Sequence, residues 1–95
     1  MEKDKKQTKG KKLERFFKGP SNHRRIDILF FVDKNKGPSL FDIAEGLDTD
    51  YKVIAQHTEK LVLAGLLNKQ YIGKPVSHKL SPYGKRFMTF IKTFL

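Results

Sequence analysis

Lys52, Val53, Gln56 and His57 lie within one short polar stretch that also carries Lys60. On a helix that enters a DNA major groove, glutamine bonds adenine through two contacts and lysine reaches the guanine acceptors, so this set can read base edges. Lys60, further along, suits phosphate contact or the edge of the interface. The plain alternative is an ordinary solvated helix face. Other chemistry finds little support. With no cysteine there is no disulfide scaffold and no thiolate metal site. His23, His57 and His78 fall on separate predicted elements, so no metal and no other cofactor is expected. Gly37, Gly46 and Gly65 are isolated turn or cap positions rather than a phosphate-binding loop. Without paired carboxylates on one face or a nucleophile beside a histidine, the expectation is not an enzyme.

The chain of 95 residues supports one domain, and its 20 Lys+Arg against 10 Asp+Glu leave a formal net charge of +10. The charge is uneven: +7 over residues 1–25, −3 over 26–49 and +6 over 50–95. A polyanionic partner would therefore meet the two ends. The opening MEKDKKQTKGKK has six lysines and no aromatic or β-branched apolar residue, which predicts a disordered basic tail over 1–12 and a folded domain over 13–95. Apolar runs such as Ile28–Val32 fall far short of the roughly 20 residues that span a bilayer, and lysines stand where a secretory signal would be apolar. A cytoplasmic protein without membrane contact is expected.

These residues need elements to position them. Leu13, Phe16 and Phe17 suggest a short amphipathic turn ended by Gly19-Pro20. Ser21 or Asn22 caps a helix with Ile26, Leu29 and Phe30 on its apolar face, joined by either Val32 or Phe31, and stopped at Asn35-Lys36-Gly37-Pro38. Ser39 with Asp42 forms a capping box before Leu40, Ile43, Ala44 and Leu47. After a turn at Gly46–Thr49, Asp50 caps a helix over 51–64 whose inner face carries Ile54, Thr58 and Leu61, with Gly65 closing it. A hairpin follows: a strand over 66–72, a turn at Gly73-Lys74-Pro75, and a strand over 76–80. Ser81-Pro82 opens a last helix with Phe87, Phe90, Ile91 and Phe94 at helical spacing. Lys69, Lys74 and Lys79 on the hairpin suit phosphate or minor-groove contact, although lysines also discourage strand-edge pairing. Arg24 and Arg25 stand at the helix end less favourable for cations, where a phosphate or an acidic neighbour would justify them.

A lone hairpin must pack on helices, so the expected fold is mainly α with a small β-hairpin. Residues 22–87 resemble the winged helix-turn-helix regulators of the ArsR-like group: a three-helix core, a wing and a C-terminal helix. The resemblance rests on His23-Arg24-Arg25-Ile26-Asp27-Ile28-Leu29, on Leu40-Phe41-Asp42-Ile43-Ala44-Glu45-Gly46-Leu47, on the 51–67 stretch closed by Ala64-Gly65-Leu66, and on Lys79-Leu80-Ser81-Pro82-Tyr83-Gly84. Thr58 departs from it, standing where that group usually has a large aliphatic. The resemblance implies sequence-specific binding of double-stranded DNA by a transcriptional regulator. It also implies a two-fold homodimer through the first and last helices, here Leu13, Phe16, Phe17, Phe87, Phe90, Ile91 and Phe94. Docking of the first element on the last within one chain is the alternative use of those residues. Metal sensing is not carried over, because the group's cysteines are missing. The competing functions are a winged-helix protein-interaction module and an RNA-binding winged helix.

Overall fold

A computed structural model describes residues 8–95, with the order α1 (Lys9–Lys18), α2 (His23–Lys34), α3 (Leu40–Gly46), α4 (Tyr51–Leu63), β1 (Leu67–Gln70), β2 (Ser77–Leu80) and α5 (Pro82–Lys92). Capping sets most of the boundaries. Asn22 accepts from the Arg24 amide at 2.9 Å, and Asp50 accepts from Lys52 and Val53. Ser39 and Asp42 close a complete capping box, at 2.9 and 3.1 Å. Each satisfies amides that the first helical turn leaves without partners.

The first helix departs from its sequence-based expectation. It begins at Lys9, so residues 9–12 are helical rather than part of a disordered tail; positions 1–7 lie outside the described residues. Thr8 caps it, and Glu14 bridges Lys11 and Lys18 at one-turn spacings, 3.1 and 3.2 Å away. Those lysines hold the Glu14 carboxyl below its ordinary range, chiefly through their hydrogen bonds. Tertiary contact completes the helix: Phe16 packs 5.1 Å from the Tyr83 ring, and Phe17 lies 6.1 Å edge-on to Phe87. These are contacts from α1 to α5 within one chain.

The core joins Ile28, Leu29 and Val32 of α2, Ile43 and Ala44 of α3, Ile54 and Leu61 of α4, and Leu66, Leu67, Leu80 and Met88. On α2 Leu29 and Val32 are inside as expected, Ile28 joins them, and Ile26 and Phe30 are only half-buried. On α5 Gly84 and Met88 face the core, and Phe90 and Phe94 look outward. Gly84 is demanded by packing, since a Cβ there would stand 2.1 Å from the Leu66 carbonyl oxygen. Gly65, at φ +86°, takes the left-handed conformation that ends α4.

The strands are shorter than expected and pair antiparallel, with Leu67 opposite Leu80, Asn68 opposite Lys79, Lys69 opposite His78, and Gln70 opposite Ser77. Alternation puts Leu67, Lys69, His78 and Leu80 on the helix side. The His78 amide and its ring Nδ1 both lie 3.0 Å from the Pro38 carbonyl, which ties β2 to the α2–α3 connection. No helix among the described residues is long and apolar enough to cross a membrane.

Thr58 is 1% exposed, and its Oγ1 is the buried side-chain polar atom without a hydrogen-bond partner among the described residues. An unpaired buried hydroxyl costs about 1–3 kcal/mol, and valine has nearly the same shape. Thr58→Val is therefore expected to stabilise the fold by about 1 kcal/mol, raising Tm by roughly 4–8 °C. A thermal melt showing a lower Tm would mean that the hydroxyl is bonded.

Candidate nucleic-acid interface

The helix pair that presents the site is α3–α4, joined by a turn in which Asp48 holds φ +50°. With Ile54, Thr58 and Leu61 committed to the core, the opposite face of α4 exposes Lys52, Gln56, Glu59, Lys60 and Leu63. Lys52 and Gln56 thus sit one turn apart on the outward face, near the helix N-terminus. Val53 and His57 are on its shoulder and are half-buried.

His57 has a partner that its sequence position does not reveal. Arg25 Nε donates to His57 Nδ1 at 3.0 Å, and Arg25 Nη1 donates to the Gly19 carbonyl at 2.9 Å. One guanidinium thereby ties the start of α2 and the end of α1 to the middle of α4. Arg24 Nη1 reaches the Thr49 hydroxyl at 3.1 Å, beside the α3–α4 turn. These two arginines fix the pose of the helix pair through contacts with neutral groups, so their charges are not cancelled. The acidic neighbour considered for them is absent among these contacts.

The three hairpin lysines are not equivalent. Lys69 is on the helix-facing side and forms an ion pair with Glu59 at 2.8 Å. That hydrogen bond holds the Lys69 ammonium above its ordinary range. Lys79, opposite Asn68, is on the outer side, and Lys74 is exposed in the loop between the strands. Lys69 therefore bridges the hairpin to α4, whereas Lys74 and Lys79 have open surroundings.

A basic groove extends the same surface. Lys11, Lys12 and Lys18 of α1 line it together with Arg25 and Lys60, and Glu14, Leu63 and Ala64 belong to the same lining. It begins where the exposed face of α4 ends. Lys11 and Lys12 belong to the basic stretch expected to hold phosphates, whereas Lys18 has no local signal and reaches α4 only through folding. The apolar residues assigned to a dimer divide in two. Phe16, Phe87 and Ile91 pack against the core of their own chain, while Leu13, Phe17, Phe90 and Phe94 remain 51%, 52%, 48% and 73% exposed. Among the described residues no three His, Asp or Glu side chains cluster as a metal site would require.

No family model matches the sequence, and no curated protein matches it. Solved structures do. HlyU from Vibrio cholerae superposes with a TM-score of 0.73 at 25% identity, covering 96% of this chain and 92% of its own. The homodimeric winged helix-turn-helix DNA-binding domain of a possible ArsR-family transcriptional regulator from Mycobacterium bovis has a TM-score of 0.79 at 17% identity, covering 93% and 86%. The chain has the winged helix-turn-helix fold. An ArsR-like transcriptional regulator from Rhodococcus agrees, with a TM-score of 0.73 at 21% identity over 90% of this chain and 75% of its own. In this winged helix-turn-helix α4 is the second helix of the helix-turn-helix pair, β1 and β2 form the wing, and α1 and α5 flank the core.

Burial lowers the pKa of His57 from its ordinary 6.5, and the charges of Arg25, Arg24, Lys60 and His23 act in the same direction. The unfolded chain thus protonates first as pH falls, so the stability from neutral His57 is complete above the ordinary value and drains away below it. An NMR titration should place His57 below 6.5, and Arg25→Ala should move its midpoint upward. An unchanged midpoint would show that Arg25 does not set the ring's environment.

Proposed function

We propose that this chain binds double-stranded DNA sequence-specifically as a homodimeric transcriptional regulator, with α4 in the major groove. The observation that carries this reading is the outward face of α4, where Lys52 and Gln56 project from a helix held by the core below and by Arg25 at its side. Glutamine reads adenine through a bidentate bond, and lysine reaches guanine acceptors. Lys60 and the α1 lysines line one groove, Lys74 and Lys79 stand exposed on the wing, and together they supply phosphate contacts, which position the protein without reading sequence. The similarity to winged-helix structures described as transcriptional regulators and as a homodimeric DNA-binding domain supports the same reading.

His57 takes a narrower role than Gln56. Its Nδ1 is occupied by Arg25, so the neutral ring offers only the Nε2–H as a donor. The dimer is proposed through the exposed Leu13, Phe17, Phe90 and Phe94, which make an apolar surface from both flanking helices. Such a dimer would set two recognition helices about 34 Å apart on one side of the duplex. The proposed protein is one that acts by binding rather than by catalysis, in the cytoplasm.

The sequence bound best is to be selected from random duplexes. If six to eight phosphates are neutralised, log affinity should fall against log salt with a slope of roughly −5 to −7. Affinity that hardly changes with salt would remove the DNA reading and favour a protein-interaction module. Tighter binding to structured RNA in direct competition would favour the RNA-binding alternative.

Gln56→Ala should cost about 1–3 kcal/mol on the selected site and little on random duplex. Replacing Lys11, Lys12 and Lys18 with glutamine should instead lower both affinities together and flatten the slope by about one per lost contact. Equal losses on both DNAs for Gln56→Ala would make α4 a phosphate clamp instead of a reader.

A further inference from the structure

A cleft of about 330 Å³ opens between α3, the first turn of α4 and the wing. This volume is near the lower end of the roughly 300–1,000 Å³ usual for small-molecule sites. Its walls are Phe41 from α3, Tyr51 from α4, and Tyr71 and Val76 from the wing. The three rings are 67%, 49% and 71% exposed, and aromatic pairing among the described residues occurs elsewhere. Three unpaired rings around one concavity offer faces and edges to a flat guest.

Three polar side chains belong to the lining: Ser39, whose hydroxyl is engaged by the Asp42 amide, His78 and Lys69. His78 is only 2% exposed, yet it forms part of the cleft surface. Its Nδ1 faces the Pro38 carbonyl at 3.0 Å. A carbonyl has no proton to donate, so Nδ1 carries the proton of this bond, and in that tautomer Nε2 is the acceptor. Lys69, opposite His78 in the register, supplies a cation that is otherwise paired with Glu59. The cleft therefore combines aromatic walls, a histidine ring and one ammonium group, and no carboxylate lines it.

We propose that this cleft binds a small aromatic monocarboxylate bearing a ring N–H or O–H, and that its occupancy weakens DNA binding. The ring lies among Phe41, Tyr51 and Tyr71, its donor goes to His78 Nε2, and its carboxylate takes Lys69 from Glu59. Glu59 is on the outward face of α4, between Lys52 and Lys60. Once released, its uncompensated charge opposes the approach of phosphate. This second part rests on the DNA reading above; binding in the cleft does not.

The test begins with the isotope-labelled free protein and no DNA. Indole-3-acetate serves as the probe, with indole lacking the carboxylate and 1-methylindole-3-acetate lacking the N–H. Indole-3-acetate at millimolar concentration is expected to shift the amides of Phe41, Tyr51, Lys69, Tyr71 and Val76. Each comparison compound should bind about tenfold more weakly, the measure of one charge-assisted or buried hydrogen bond. The double variant Phe41→Ala and Tyr71→Ala alters exposed rings, so it should fold and lose the shifts. Absent shifts, shifts elsewhere, or equal affinity for all three compounds would overturn the site.

Gel shifts with the selected duplex then test the coupling. Saturating indole-3-acetate should weaken binding by the wild-type protein several-fold. Glu59→Gln should keep the ligand-induced amide shifts but lose this effect on DNA. An equal effect in both proteins would overturn the Glu59 route. If the double variant itself weakens DNA binding while ligand shifts persist, the cleft belongs to the DNA surface and the proposal fails. If no duplex is bound under any condition, the DNA reading fails and the NMR result still decides the site.

Discussion

A two-stranded hairpin is marginal in water, and here four residues per strand must hold a wing at a set angle to α4. The constraint that makes this possible is the junction around Leu66. Its carbonyl accepts from the Ser81 amide at 3.0 Å, and the Ser81 hydroxyl donates to the Gly65 carbonyl at 2.6 Å. The same hydroxyl accepts from the Gly84 amide at 2.9 Å and so caps α5. Only glycine at 84 lets α5 approach that closely. The end of α4, both strands and the start of α5 thus meet in one hydrogen-bonded knot over the buried Leu66, Leu67 and Leu80.

From this junction the electrostatics follow. Strand alternation turns Lys69 toward α4, where Glu59 meets it; one residue out of register, that side chain would point to solvent. On the far side, Arg25 draws the α1–α2 connection against His57, and α1 then carries its lysines alongside Lys60. Basic residues from the two ends, separated in sequence by an acidic segment, thereby line one groove: Lys11, Lys12, Lys18 and Arg25 from one end and Lys60 from the other. Surface ion pairs individually contribute little to stability. The value of the Lys69–Glu59 pair is positional, since it links the wing to α4.

Much of the fold was legible locally. Ser39 with Asp42, Asp50 before α4, and Ser81-Pro82 before α5 marked helix starts, because capping depends on residues two or three positions apart. Ile54, Thr58 and Leu61 marked the inner face of α4 and so left Lys52 and Gln56 outside. Less was legible where apolar residues exceeded what one face can hold. In α2 the run Ile28–Val32 offers two overlapping stripes, and in α5 the phenylalanines outweigh the single methionine that is buried. Periodicity finds an apolar stripe, but which stripe enters the core depends on the shape of the neighbours. Likewise, the lysines and absence of apolar residues in 9–12 read as tail, whereas docking of Phe16 and Phe17 on α5 carries the helix back to Lys9.

What the sequence determined by itself was the order of elements, the helix caps, the outward polar set on α4 and the excess of positive charge. All of these follow from residues close together in the chain. Tertiary structure alone decided that His57 belongs to Arg25 and Lys69 to Glu59, and that α1 borders α4. It alone decided that Phe41, Tyr51, Tyr71 and His78 surround a single cleft. These pairings join positions 10 to about 40 residues apart, and no local spacing encodes them. They exist because burying the Ile28, Ile43, Ile54 and Leu61 core leaves each helix and the wing with one compatible pose.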